Sequence, residues 1–182
     1  MKLIFIPLAV LLSLGLLKGN PQAPEPSPNQ ISVYVFLHDA CLISQYYSVA
    51  LRDLHAEYAS ENLHFIGLFP SFASKAENIE AFRQKYQIPF ELKQDYYHLK
   101  TTALGATVTP EVVVYDEAQQ QILYKGRIDD AYARVGQRKR YPSTSELRDV
   151  LDAIQSHQPI KTQNTQAIGC FIEKNKLTYT QK

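Results

Sequence analysis

Residues 31–37 (ISVYVFL) form an unbroken apolar run of strand length, and the pattern changes directly behind it. From Cys41 to about Ala59, Tyr47, Ala50, Leu51, Leu54 and Tyr58 recur at spacings of three and four, with Gln45, Arg52, Asp53 and Glu57 on the other side. This spacing predicts a helix with one buried face. Residues 63–69 (LHFIGLF), between Asn62 and Pro70, predict a strand buried on both faces. Ser74-Lys75-Ala76-Glu77 has the pattern of a capping box, followed by the stripe Ile79, Phe82 and Tyr86. A short extended stretch is expected over 88–92 and a short helix over 97–104, closed by Gly105. Residues 112–115 (VVVY) and 122–125 (ILYK) predict a hairpin. A second capping box, Ser143-Thr144-Ser145-Glu146, opens a last helix that buries Leu147, Val150, Leu151 and Ile154. Beyond Ile160 no periodicity is visible. The order is β-α-β-α, a short helix, a hairpin and a helix, which predicts an α/β fold with a central mixed sheet flanked by helices on both faces.

Ahead of these elements, residues 3–17 (LIFIPLAVLLSLGLL) are apolar and interrupted by Pro7 and Gly15. The run is shorter than the ~18 to 20 residues that span a bilayer, so residues 1–20 are expected to be a secretory signal, with an uncleaved N-terminal anchor as the alternative. Residues 21–30 (PQAPEPSPNQ) are expected to be an extended proline-rich linker, 31–172 a single domain, and 173–182 a flexible tail. An exported protein, periplasmic or extracellular, is the expectation, in a compartment where disulfides are chemically permitted.

Charge removes one class of partner. The chain carries 19 basic and 18 acidic side chains; without Lys2 and Lys18 the balance is 19 − 2 = 17 against 18. Such a balance offers no electrostatic footprint for nucleic acid, and the basic run 134–140 (RVGQRKR) is expected to be a solvated loop.

The candidate chemistry centres on Cys41, placed where the first strand gives way to the first helix. A thiol there faces the unpaired N–H groups and positive dipole end of the helix, which stabilise a thiolate. The small buried hydrophobe that free cysteines often supply is the competing account. Ser44 stands where a C-x-x-C motif would have its second thiol, and its hydroxyl is a candidate hydrogen-bond donor to the sulfur. Cys170 is the other cysteine of the chain: a free thiol, a structural staple to Cys41, or a thiol that resolves an oxidised Cys41. His38 is a candidate proton donor or acceptor. Arg127 is a candidate to stabilise the thiolate or to clasp Asp129 or Asp130. The paired aspartates lack further ligands, and no metal or cofactor is implied.

The element order resembles the thioredoxin fold, and Cys41-x-x-Ser44 at the helix start with Thr109-Pro110 just before the strand 112–115 sharpens the resemblance. The resemblance implies a cis proline facing the reactive cysteine, and a Thr109 backbone that pairs with an extended substrate or partner. More narrowly, His38 to Ser44, Ala106 to Val112, Tyr124 to Asp130 and Ile168-Gly169-Cys170 are similar to the exported redoxin group related to peroxiredoxins. Peroxiredoxins place a threonine or serine three residues before the reactive cysteine. This chain has His38 there, and Leu42 stands where redoxins commonly have proline.

What the resemblance implies is a thiol-disulfide oxidoreductase with Cys41 as nucleophile, acting with protein thiols or disulfides or with a small oxidant. Two alternatives stand beside it. One is a non-catalytic thioredoxin-like binding module with a structural Cys41–Cys170 disulfide; the other is a peroxiredoxin-like peroxidase.

Overall fold

All six side chains of Ile31–Phe36 (β1) are buried, which places this strand at the centre of a sheet with both faces covered. The computed structural model describes residues 30–173. The expected signal or anchor, most of the linker and all but the first residue of the tail lie outside the described residues.

Chain order continues with α1 (Leu42–Tyr58), β2 (Leu63–Phe69), α2 (Ala76–Tyr86), β3 (Glu91–Gln94), α3 (Leu99–Leu104), β4 (Val108–Thr109), β5 (Glu111–Asp116) and β6 (Gln121–Gly126). It ends with a small hairpin, β7 (Tyr132–Arg134) and β8 (Gln137–Arg138), then α4 (Glu146–Gln155) and β9 (Cys170–Phe171). The main sheet runs β3-β2-β1-β5-β6. β2 is parallel to β1 and to β3, joined through the crossover helices α1 and α2, while β5 pairs antiparallel with both β1 and β6. The period of two along β1 divides the core. Val33, Val35 and Leu37 pack with α1, α2 and α4 through Leu51, Leu54, Phe82, Leu147 and Leu151. Tyr34 and Phe36 pack on the other face with Leu68, Leu104, Ala106 and Val113. Helices thus cover both faces of the mixed sheet.

Both expected capping boxes are absent. α2 begins behind Lys75, because the Ser74 hydroxyl is drawn to the Asp39 carboxylate. α4 begins behind Ser145, because Glu146 turns to Arg127 instead of reaching back along its own first turn. The short third helix begins at Leu99, two residues later than expected. Asp95 accepts the N–H groups of Leu99 (2.9 Å) and Thr101 (2.7 Å), supplying partners that the helix start would otherwise lack. The third strand likewise lies at 91–94, shifted from 88–92.

The basic run is exposed along its whole length, as expected of a solvated segment, and is ordered as well. It is built into the β7–β8 hairpin, where Arg138 lies 4.9 Å above the Tyr46 ring and Lys139 pairs with Asp130. Asp130 also accepts the N–H groups of Ser143 (2.6 Å) and Thr144 (3.2 Å), tying the lead-in of α4 to the hairpin. Lys139 is the main reason the Asp130 carboxyl is held down to about 2 from its ordinary 3.8; burial pushes the other way, and the two N–H groups add to the lowering. A lowered carboxyl contributes stability above its unfolded value and loses it as pH falls through its folded value. In acid unfolding, the gap between the wild type and Asp130→Asn is therefore expected to be full above pH 3.8 and to close toward pH 2. A gap independent of pH would mean that Asp130 acts through shape alone.

Candidate functional site

β1 ends at Phe36, and the next four residues are fixed by a small set of bonds. Leu37 N–H reaches Leu68 O at 2.7 Å, Cys41 N–H reaches His38 O at 3.1 Å, and Gln45 N–H donates to the Cys41 carbonyl, the first of the helix, at 3.0 Å. Cys41 is therefore the N-cap residue of α1. Asp39 holds this loop against α2 through Ser74 and Asn78 (3.2 Å), and its carbonyl accepts from Gln45 Nε2 at 2.8 Å. Nothing in the sequence pattern singled out Asp39 as an anchor, since its partners lie 35 and 39 residues away.

The Cys41 side chain is 3% exposed and lies in the larger of the two cores. Its Sγ donates to the Thr109 carbonyl at 3.2 Å, and the Cys170 Sγ donates to it at 2.7 Å. Both cysteines are free thiols, Cys41 buried and Cys170 exposed. Burial raises the Cys41 pKa, but the Cys170 thiol and the backbone N–H groups of Ser44, Ile43 and Cys170 outweigh it, so the net direction is down. Burial and the hydrogen bond to the Cys41 sulfur push Cys170 up to about 12. Cys41 is therefore the member of the pair that ionises first, while Cys170 holds its proton more tightly. A Cys170→Ser variant, which keeps a donor, is expected to give a lower Cys41 titration midpoint than Cys170→Ala. Thiolate absorbance against pH measures this; equal midpoints would remove Cys170 as the source of the lowering.

Cys170 is brought there by β9, a two-residue strand paired antiparallel with β4, with Thr109 opposite Cys170 and Val108 opposite Phe171. Ile172 N–H adds a bond to Thr107 O at 3.0 Å. The Thr109–Pro110 bond is cis. Glu111, buried directly behind the proline, accepts the N–H groups of Thr107 (2.7 Å) and Val108 (3.4 Å) and so fixes the turn from below. At Gly169 an added Cβ would lie 2.6 Å from the Thr109 carbonyl carbon and 3.1 Å from the Pro110 nitrogen, so only glycine lets the tail approach this closely.

The other candidates fall into place around this pair. The Ser44 hydroxyl is fully buried and accepts the His38 N–H at 3.3 Å; what Ser44 directs at the sulfur is its backbone N–H. The expected side-chain donor is thus a loop brace. His38 accepts the Ala40 N–H on Nδ1 at 3.0 Å and lies 3.5 Å from Asp39, lining the cleft beside Cys170. Arg127 is a correction. Its Nε donates to Glu146 at 2.9 Å, and its backbone N–H to Thr165 at 3.0 Å, so the guanidinium pairs with the first residue of α4 and neither serves the thiolate nor clasps the neighbouring aspartates. The Thr109 edge, expected to receive an extended partner, is occupied by the chain's own β9. Tyr132, which no sequence pattern marked, lies close enough for the Cys41 charge to help raise its phenol; burial is the larger cause. Among the described residues no group of three or more His, Cys, Asp or Glu side chains could hold a metal ion.

The chain matches no family model and no curated protein. Its structure is similar to an uncharacterised conserved protein from Geobacillus kaustophilus at 21% identity and a TM-score of 0.71, covering 81% of this chain and 79% of that one. It is also similar to a candidate thioredoxin from Neisseria meningitidis (16% identity, TM-score 0.54, 70% and 76% covered). A secreted disulfide oxidoreductase from Mycobacterium tuberculosis, homologous to DsbE of E. coli, aligns at 15% identity and a TM-score of 0.50, over 69% and 82% of the two chains. At these identities the likeness concerns the fold. The chain has the thioredoxin-like fold.

Proposed function

We propose that the protein is an exported thiol-disulfide oxidoreductase in which Cys41 and Cys170 form the redox pair. The observation that carries the reading is the approach of the two sulfurs to 2.7 Å, with the thiolate favoured on the one at the helix start. In the reduced protein the Cys41 thiolate attacks one sulfur of a substrate disulfide, and the other substrate sulfur leaves as a thiolate. Cys170 then attacks Cys41 in the mixed disulfide, releases the second substrate thiol and leaves a Cys41–Cys170 bridge. Two electrons pass from the cysteine pair to the substrate. Because Cys41 is covered by Cys170, the first attack proceeds when β9 lifts, and this two-residue strand is held to the sheet side by its short pairing with β4 and the Ile172 N–H bond to Thr107. Export is supported by the apolar segment at residues 3–17. No helix among the described residues is long and apolar enough to cross a membrane.

Titration of the pair in thiol-disulfide buffers, read by mass after alkylation, tests the proposal. A bridge that forms and opens reversibly above about −300 mV supports the enzyme. The occupied Thr109 edge favours a second reading, a binding module stapled by a permanent bridge, which predicts resistance to reduction below that value. A peroxidase predicts a sulfenic acid on Cys41 under peroxide in a Cys170→Ser variant.

A further inference from the structure

We propose that the external thiol which reopens the Cys41–Cys170 bridge attacks Cys170, with Cys41 as the leaving sulfur, and that this thiol is carried by a polypeptide with an apolar residue beside its cysteine. The inference rests on the redox-pair reading and concerns its reductive half. It reverses the order suggested by a reactive cysteine at a helix start, where the helix-start sulfur would receive the partner.

Disulfide exchange needs the incoming sulfur, the attacked sulfur and the leaving sulfur close to one line. Attack on Cys41 with Cys170 leaving would have to come from the side of Cys41 away from Cys170. While β9 stays docked on β4, as in the bridged protein, Cys41 is packed into the larger core with Tyr47 and Leu51 and is 3% exposed, so that line passes through protein; it opens only with β9 lifted, as in the oxidative half. Attack on Cys170 with Cys41 leaving comes from outside, where Cys170 is exposed. A cleft of about 330 Å³ opens on that side, lined by Cys170 and not by Cys41.

The chemistry of the leaving group agrees with the geometry. The N–H groups of Ser44 and Ile43 receive a thiolate on Cys41, whereas no such groups serve Cys170. An external thiolate forms a bond to Cys170 Sγ, the Cys41–Cys170 bond breaks, and the electron pair stays on Cys41. A second external thiol then attacks the mixed disulfide at its outer sulfur, and a proton from solvent completes Cys170.

The cleft also indicates the chemistry of the partner. Phe171, the residue after Cys170, is 86% exposed, and Phe72 across the cleft is 42% exposed. Two exposed phenylalanines beside a reactive sulfur favour an apolar side chain next to the incoming cysteine, since burying it removes apolar surface on both partners from water.

The test uses the oxidised wild-type protein and two probes at equal thiolate concentration, glutathione and a nonapeptide whose cysteine lies between leucines. Brief reaction, acid quench and maleimide blocking freeze the intermediate for peptide mapping. The expected result is probe on Cys170 and maleimide on Cys41, with Cys170 favoured by at least about tenfold. The leucine peptide is expected to react about tenfold faster than glutathione, and Phe171→Ser to remove that advantage. Probe on Cys41, or on both sulfurs alike, overturns the assignment, and equal rates for the two probes overturn the apolar partner. If the oxidised protein contains no Cys41–Cys170 bridge, the redox-pair reading fails instead, which the mass of the starting material shows before any probe is added.

Discussion

Cys41→Ser is expected to lower turnover of a disulfide substrate by at least about a hundredfold, because a serine hydroxyl at neutral pH neither ionises nor attacks sulfur. The fold should tolerate the change. Serine is nearly isosteric with cysteine, it can still donate to the Thr109 carbonyl, and it is among the preferred residues at a helix start. A circular dichroism spectrum and melting curve matching the wild type would therefore accompany the loss. Cys170→Ser should behave differently. It keeps the attacking thiolate but lacks the second sulfur, so it is expected to accumulate a mixed disulfide on Cys41 and to turn over only when a further thiol is supplied. Insulin reduction with dithiothreitol as electron source measures both variants. Wild-type turnover in Cys41→Ser would remove this residue from the chemistry.

Gly169→Ala tests whether the docking of β9 couples the two cysteines. The methyl group would meet backbone atoms, the Thr109 carbonyl and the Pro110 nitrogen, which cannot step aside as a flexible side chain would. The strand must then rise from the turn. Two opposite changes are expected together: alkylation of Cys41 by iodoacetamide should speed up by about tenfold or more as its cover opens, and formation of the Cys41–Cys170 bridge should slow. Neither Cys170 nor Phe171 of β9 belongs to a core cluster, so the melting temperature should move little by comparison. Unchanged alkylation with unchanged bridge formation would show that β9 docks equally well without its glycine.

Much of the frame was legible in the pattern of residues because burial imposes a period. β1, α1, β2 and the β5–β6 hairpin each carry enough turns or alternations to declare themselves, and the strand-to-helix position of Cys41 follows from where two periods meet. Short elements have no period to read. β4 and β9 are two residues each, and what defines β9 is a glycine that permits approach and a register opposite Thr109, both of which depend on a partner about 60 residues earlier. The caps were misread for a related reason. Ser74 and Glu146 suit a capping box locally, yet Asp39 and Arg127 compete for them from distant parts of the chain and win through charge. Read locally, Arg127 after Gly126 has the thiolate or Asp129 and Asp130 as its candidate partners. Glu146 is the partner that sequence distance concealed.

The proposed redox pair joins positions 129 residues apart, and its second member enters on the last strand of the described fold. A chain folded only as far as α4 would display Cys41 at its helix start while Cys170 is absent, and so would carry that thiol without the neighbour that does most to lower its pKa. A Cys41–Cys170 bridge within one molecule would thereby report that β9 has docked on β4. A fragment ending before residue 169 should instead form dimers through Cys41, a failure visible on a non-reducing gel.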